Sequence, residues 1–66
     1  MSADELTSDQ EQIVYRAYAE ASLAAKEKGL SGSKAVAAVL QAAAKVSTRL
    51  IGIDLTPADV EQIVRR

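Results

Sequence analysis

Lys34, Lys45 and Arg49 come nearest, by type and spacing, to a binding chemistry. On a helix they share one side, with Gln41 and Thr48 beside them and no acid anywhere from residue 34 to residue 49. Such a basic stripe can hold phosphate, whether of nucleic acid or of a small anionic ligand. It reads more readily as a solvated face, because no aromatic side chain accompanies it for bases to stack on, and cations are favoured toward a helix C-terminus. Catalysis has less to work with. The chain has no His and no Cys, which removes imidazole bases, thiolate nucleophiles and the commonest zinc ligands. Among Asp, Glu, Lys, Ser, Thr and Tyr, no pair is spaced for acid/base or nucleophilic work. Ser31-Gly32-Ser33-Lys34 lacks the upstream glycine and the preceding strand of a phosphate loop, and reads as linker plus helix cap. No catalytic residue, cofactor or metal is expected, and the chain reads as a non-enzyme.

The elements that must carry these side chains are marked by clear punctuation. Lys28-Gly29-Leu30 and Gly52-Ile53 each combine a glycine suited to a left-handed helix ending with an apolar residue that can fold back on the last turn. Thr56, Pro57 and Asp59 fit the N-cap, first and third positions of a helix, with Leu55 and Val60 placed as a hydrophobic staple. Leu6, Thr7 and Gln10 repeat that start upstream. The result is one domain over 1–66, with helices at about 8–28, 33–51 and 57–65 and a flexible segment at 1–6. No segment shows strand alternation. The fold class expected is all-α, a three-helix bundle of two longer antiparallel helices and a short C-terminal one.

The helix faces bear on partners. Ile13, Val14, Ala17, Ala21, Ala24 and Ala25 form an apolar stripe along the first helix, rich in alanine and suited to close helix packing. Tyr15 and Leu23 point away from it, with Arg16 and Glu20 as a polar rim. In the second helix Val36, Val39, Ala43, Val46 and Leu50 recur at heptad spacing, and Ala37, Leu40, Ala44 and Ile51 widen the stripe. Its apolar arc spans roughly 220°, interrupted by Ser47, against the ~100° that one core contact requires. Two neighbours are needed to cover it.

A core of 16 Leu, Ile and Val residues and 13 Ala, with no Phe or Trp, is thin for a chain of 66 residues. Self-association is therefore expected, through Tyr15 and Leu23 or the outer flank of the second helix. The functional expectation is a small helical interaction module: a regulator, inhibitor or assembly component that presents a helix face, as a homo-oligomer, to another protein.

Nucleic acid is the second expectation. The formal charge of −1 supplies no overall attraction to it, but the last two helices can be read as a helix-turn-helix. Asp59 and Glu61 then sit at the end of the recognition helix that meets phosphates, with Arg65 and Arg66 in compensation. The stretch LIGIDLTPADVEQI resembles the helix-hairpin-helix motif of DNA-repair proteins, with Asp54 in place of that family's second hairpin glycine. The resemblance implies a phosphate contact at this turn. The local agreement of caps and turns also admits a designed chain without natural function. The longest uncharged run, at 35–44, is too short to cross a bilayer, and the N-terminus lacks the basic and apolar blocks of a signal peptide. A soluble, cytoplasmic protein without a membrane partner is the expectation.

Overall fold

The computed structural model describes residues 6–65. Three helices follow one another: α1 (Ser8–Glu27), α2 (Gly32–Ile51) and α3 (Pro57–Val64). Each boundary lies within one residue of its expected place, because the stops and starts are written locally. At the head of α1, Gln10 N–H donates to Thr7 Oγ1 at 3.2 Å and Thr7 N–H donates to Gln10 Oε1 at 2.9 Å. The same reciprocal cap opens α3, with Asp59 N–H donating to Thr56 Oγ1 at 3.2 Å and Thr56 N–H to Asp59 Oδ2 at 3.0 Å. Each box satisfies a backbone donor that the first turn leaves orphaned and one just before it. The cap of α2, Ser31, makes no side-chain bond to its helix.

The two glycine endings differ. After α1, Gly29 takes a φ of 77°, its N–H donates to Lys26 O, and Leu30 N–H donates to Ala25 O, the paired bonds of a Schellman ending. After α2, Gly52 takes a φ of 83° and donates to Thr48 O. The turn is then closed by a side chain: Thr48 Oγ1 accepts from Leu55 N–H at 2.9 Å and donates to Leu55 O at 3.2 Å. One hydroxyl thus satisfies both backbone groups of the residue that leads into α3.

α1 and α2 form an antiparallel hairpin, shown by Ile13 and Ala17 facing Leu50 and Val46 at one end and Ala21 and Ala25 facing Ala42, Val39 and Ala38 at the other. α3 packs on both helices. At eight residues it is about 12 Å long, against about 30 Å for each 20-residue partner, so it covers part of the hairpin only. The core gathers where all three helices meet. Val14, Ala43, Val60 and Ile63 are fully buried there, with Leu6, Ala17, Ala44 and Leu55 around them.

Three expectations are corrected. Leu6, placed in a flexible segment, is buried in this core, while residues 1–5 lie outside the described residues. Tyr15, read as pointing away from the seam, packs against the core and donates through its hydroxyl to Ile63 O at 3.1 Å. Ala24, placed in the stripe, is exposed. Tyr15 is drawn inward because α3 seats on its side of α1.

Candidate protein-interaction face

Ile13 and Tyr15 are two residues apart, about 200° around a helix, and so lie on opposite flanks of α1. α3 occupies the Tyr15 flank. On the Ile13 flank no third helix is present, and the space between α1 and α2 is an open groove of about 110 Å³. Ile13, Ala17, Val46 and Leu50 supply its apolar lining, and Arg16 and Glu20 its charged edge. Leu50 is 64% exposed and Val46 42%. Both belong to the arc of α2 that needed a second neighbour. α1 and α3 cover Val39, Ala43, Ala44 and Ser47 but leave these two residues open to solvent.

Of the four residues expected at a partner interface, Arg16 and Glu20 border this groove. Leu23 lies three residues beyond Glu20 on the outer face of α1 and is 59% exposed. Tyr15 is on the other flank, half-buried and bonded within the chain. The apolar residues beside the rim are therefore Ile13, Val46 and Leu50. The sequence places Ile13 in the buried stripe of the first helix and Val46 and Leu50 in the wide apolar arc of the second, whose outer flank it offers as an interface without saying which residues lie there. The signal that could have found them was the width of the α2 arc, wider than a long neighbour on one side and a single short helix on the other would cover.

A second open surface lies at the far end of the hairpin, beyond the short α3. Tyr18, Ser22 and Lys26 of α1 and Ala35, Val36 and Val39 of α2 line a cleft of about 210 Å³ there, with Leu30 at its end. A smaller hollow of about 100 Å³, lined by Ala21, Ala24, Ala38 and Ala42, marks where paired alanines fill less space than larger side chains would. All three spaces are shallow and open, and their linings hold no pair of groups that would activate a nucleophile or a water.

Lys34, Lys45 and Arg49 are exposed along one side of α2, spread over about 22 Å by the helical rise. None of them lines any of these three spaces. Asp59, at the head of α3, has its carboxylate engaged by Thr56 N–H, and Glu61 pairs with Arg65 at 3.4 Å. The inner side of α3, Val60 and Ile63, is fully buried. A groove-reading role would have to use the acidic remainder. Among the described residues, no cluster of three His, Cys, Asp or Glu side chains is placed to hold a metal ion, and no helix is long and apolar enough to cross a membrane. Comparison with protein-family models, with curated proteins and with solved structures found no match.

Proposed function

We propose that this chain is a helical protein-interaction module, a regulator, inhibitor or assembly component rather than an enzyme, that self-associates through the Ile13 flank of the α1–α2 hairpin. The observation that carries the reading is the groove between Ile13, Val46 and Leu50, open to solvent and edged by Arg16 and Glu20. An apolar floor with a charged rim is the usual anatomy of an interface. Single exposed aliphatic residues are ordinary on any surface, but here they adjoin one another beside a thin core. Burying the exposed part of Leu23 and Leu50 is worth about 1 to 2 kcal/mol per side chain, a sizeable fraction of the roughly 3 to 5 kcal/mol that one core supplies in a domain this small.

Sedimentation equilibrium tests the reading directly. A dimer or higher oligomer is expected at micromolar concentration, dissociated by Leu50→Asp with helicity retained. A monomer at high micromolar concentration, or an oligomer indifferent to Leu50→Asp and Leu23→Asp, overturns it.

A further inference from the structure

Along the outer face of α1, Ile13, Arg16, Glu20 and Leu23 recur at intervals of three, four and three, so they form one straight stripe beside the groove. The stripe is symmetric about residue 18: an apolar residue at each end, a cation and an anion between. When such a stripe is laid antiparallel on its own copy around a two-fold axis, residue i meets residue 36 − i. Ile13 then faces the partner's Leu23, and Arg16 faces the partner's Glu20. Each contact occurs twice. We infer that α1 is the dimer helix and that its partner is a second copy of this chain, packed antiparallel about a two-fold axis at Tyr18's level. This rests on the self-association proposed above and names its register.

Three observations favour a second copy over another occupant. Arg16 and Glu20 are both exposed, and neither is held in an ion pair within the chain among the described residues. Their charges are complementary in the antiparallel register and repulsive in the parallel one, where Arg16 would meet the partner's Arg16. The partner's Leu23 arrives beside Ile13, at the end of the groove where Leu50 lies, so the exposed leucine of one α1 meets the open hollow of the other chain. Apolar contact supplies the affinity. The ion pairs set direction and register, the role for which charged positions in helical interfaces are best attested.

Charge reversal separates this register from other modes of association. In Arg16→Glu, both charges of the stripe are negative, and in Glu20→Arg both are positive. Each homodimer then sets like charges together, and its dissociation constant should rise by about tenfold or more. Mixing the two variants restores every contact between chains while leaving like charges within each chain. Preferential heterodimer formation, read by native mass spectrometry and sedimentation, therefore reports on the interface alone. The double variant R16E/E20R should dimerise as the parent does. Circular dichroism should show unchanged helicity in all of them, since both residues are exposed.

If the parent dimerises and the single variants dimerise equally well, the register is overturned while the self-association reading stands. Heterodimer preference without weakening of the single variants places the helices parallel and also overturns it. A parent that stays monomeric at high micromolar concentration overturns both.

Discussion

Ser47 is the sharpest test of the packing. It lies in the interior of α2 with no solvent exposure, and its Oγ has no hydrogen-bond partner among the described residues. A buried hydroxyl without a partner costs about 1 to 3 kcal/mol in lost hydration. Replacing it with alanine removes that cost and adds up to about 0.5 kcal/mol of helix propensity. Against this stands the space left by one oxygen, roughly 15 Å³, which at about 24 cal/mol per Å³ amounts to about 0.4 kcal/mol. Ser47→Ala should therefore stabilise the fold by about 1 to 3 kcal/mol. For a domain of this size, each kcal/mol raises the midpoint of thermal unfolding by about 4 to 8 °C. Urea and thermal unfolding followed by far-UV circular dichroism, at one fixed protein concentration, measure it. Ser22→Ala on α1, at a half-buried position, supplies the control: it should give only the propensity gain. Should Ser47→Ala be less stable than the parent, the hydroxyl is satisfied in solution, for instance by the carbonyl one turn back, and the reasoning fails.

The remaining expectations concern single contacts. Tyr15→Phe removes the hydroxyl that ties α1 to Ile63 O and should cost about 0.5 to 1.5 kcal/mol in urea unfolding without changing the oligomeric state. Thr48→Val keeps the shape of the side chain but leaves both backbone groups of buried Leu55 without their partner, so a loss of about 1 to 3 kcal/mol is expected from the same measurement. In the antiparallel register, Asp9 would meet the partner's Glu27 in line with the stripe, just beyond each of its ends. Glu27→Lys should therefore tighten the dimer several-fold at low salt, and sedimentation at two ionic strengths would show the gain shrinking as salt rises. Replacing Lys34, Lys45 and Arg49 together by Gln should leave self-association unchanged, because their edge of α2 lies outside the groove lining.

What could be read from the sequence divides along a physical line. Helix ends were legible because a cap is settled within four or five residues: Thr7 with Gln10, Thr56 with Asp59, Gly29 with Leu30. The exposure of Arg16 and Glu20 was legible too, since both fall outside the apolar stripe of α1. Helix rotation was not. Ile13 and Tyr15 flank Val14 on either side, and nothing within α1 says which flank receives a third helix. That is decided by the turn after Gly52, where the Thr48 side chain grips Leu55 and directs α3 toward Tyr15. Once α3 takes that side, Tyr15 is drawn into the core, and Ile13, Val46 and Leu50 become the walls of an open groove. The same stripe of α2 that reads as core along its whole length is therefore interior at Ala43 and exterior at Leu50, seven residues on. Equal heptad positions are buried alike only where a neighbouring helix lies on the same flank and runs the full length beside them. Here α3 takes one flank only, which leaves Leu50 and Val46 open on the other, and at eight residues it stops short of Val36, which stays exposed at the far end of the hairpin.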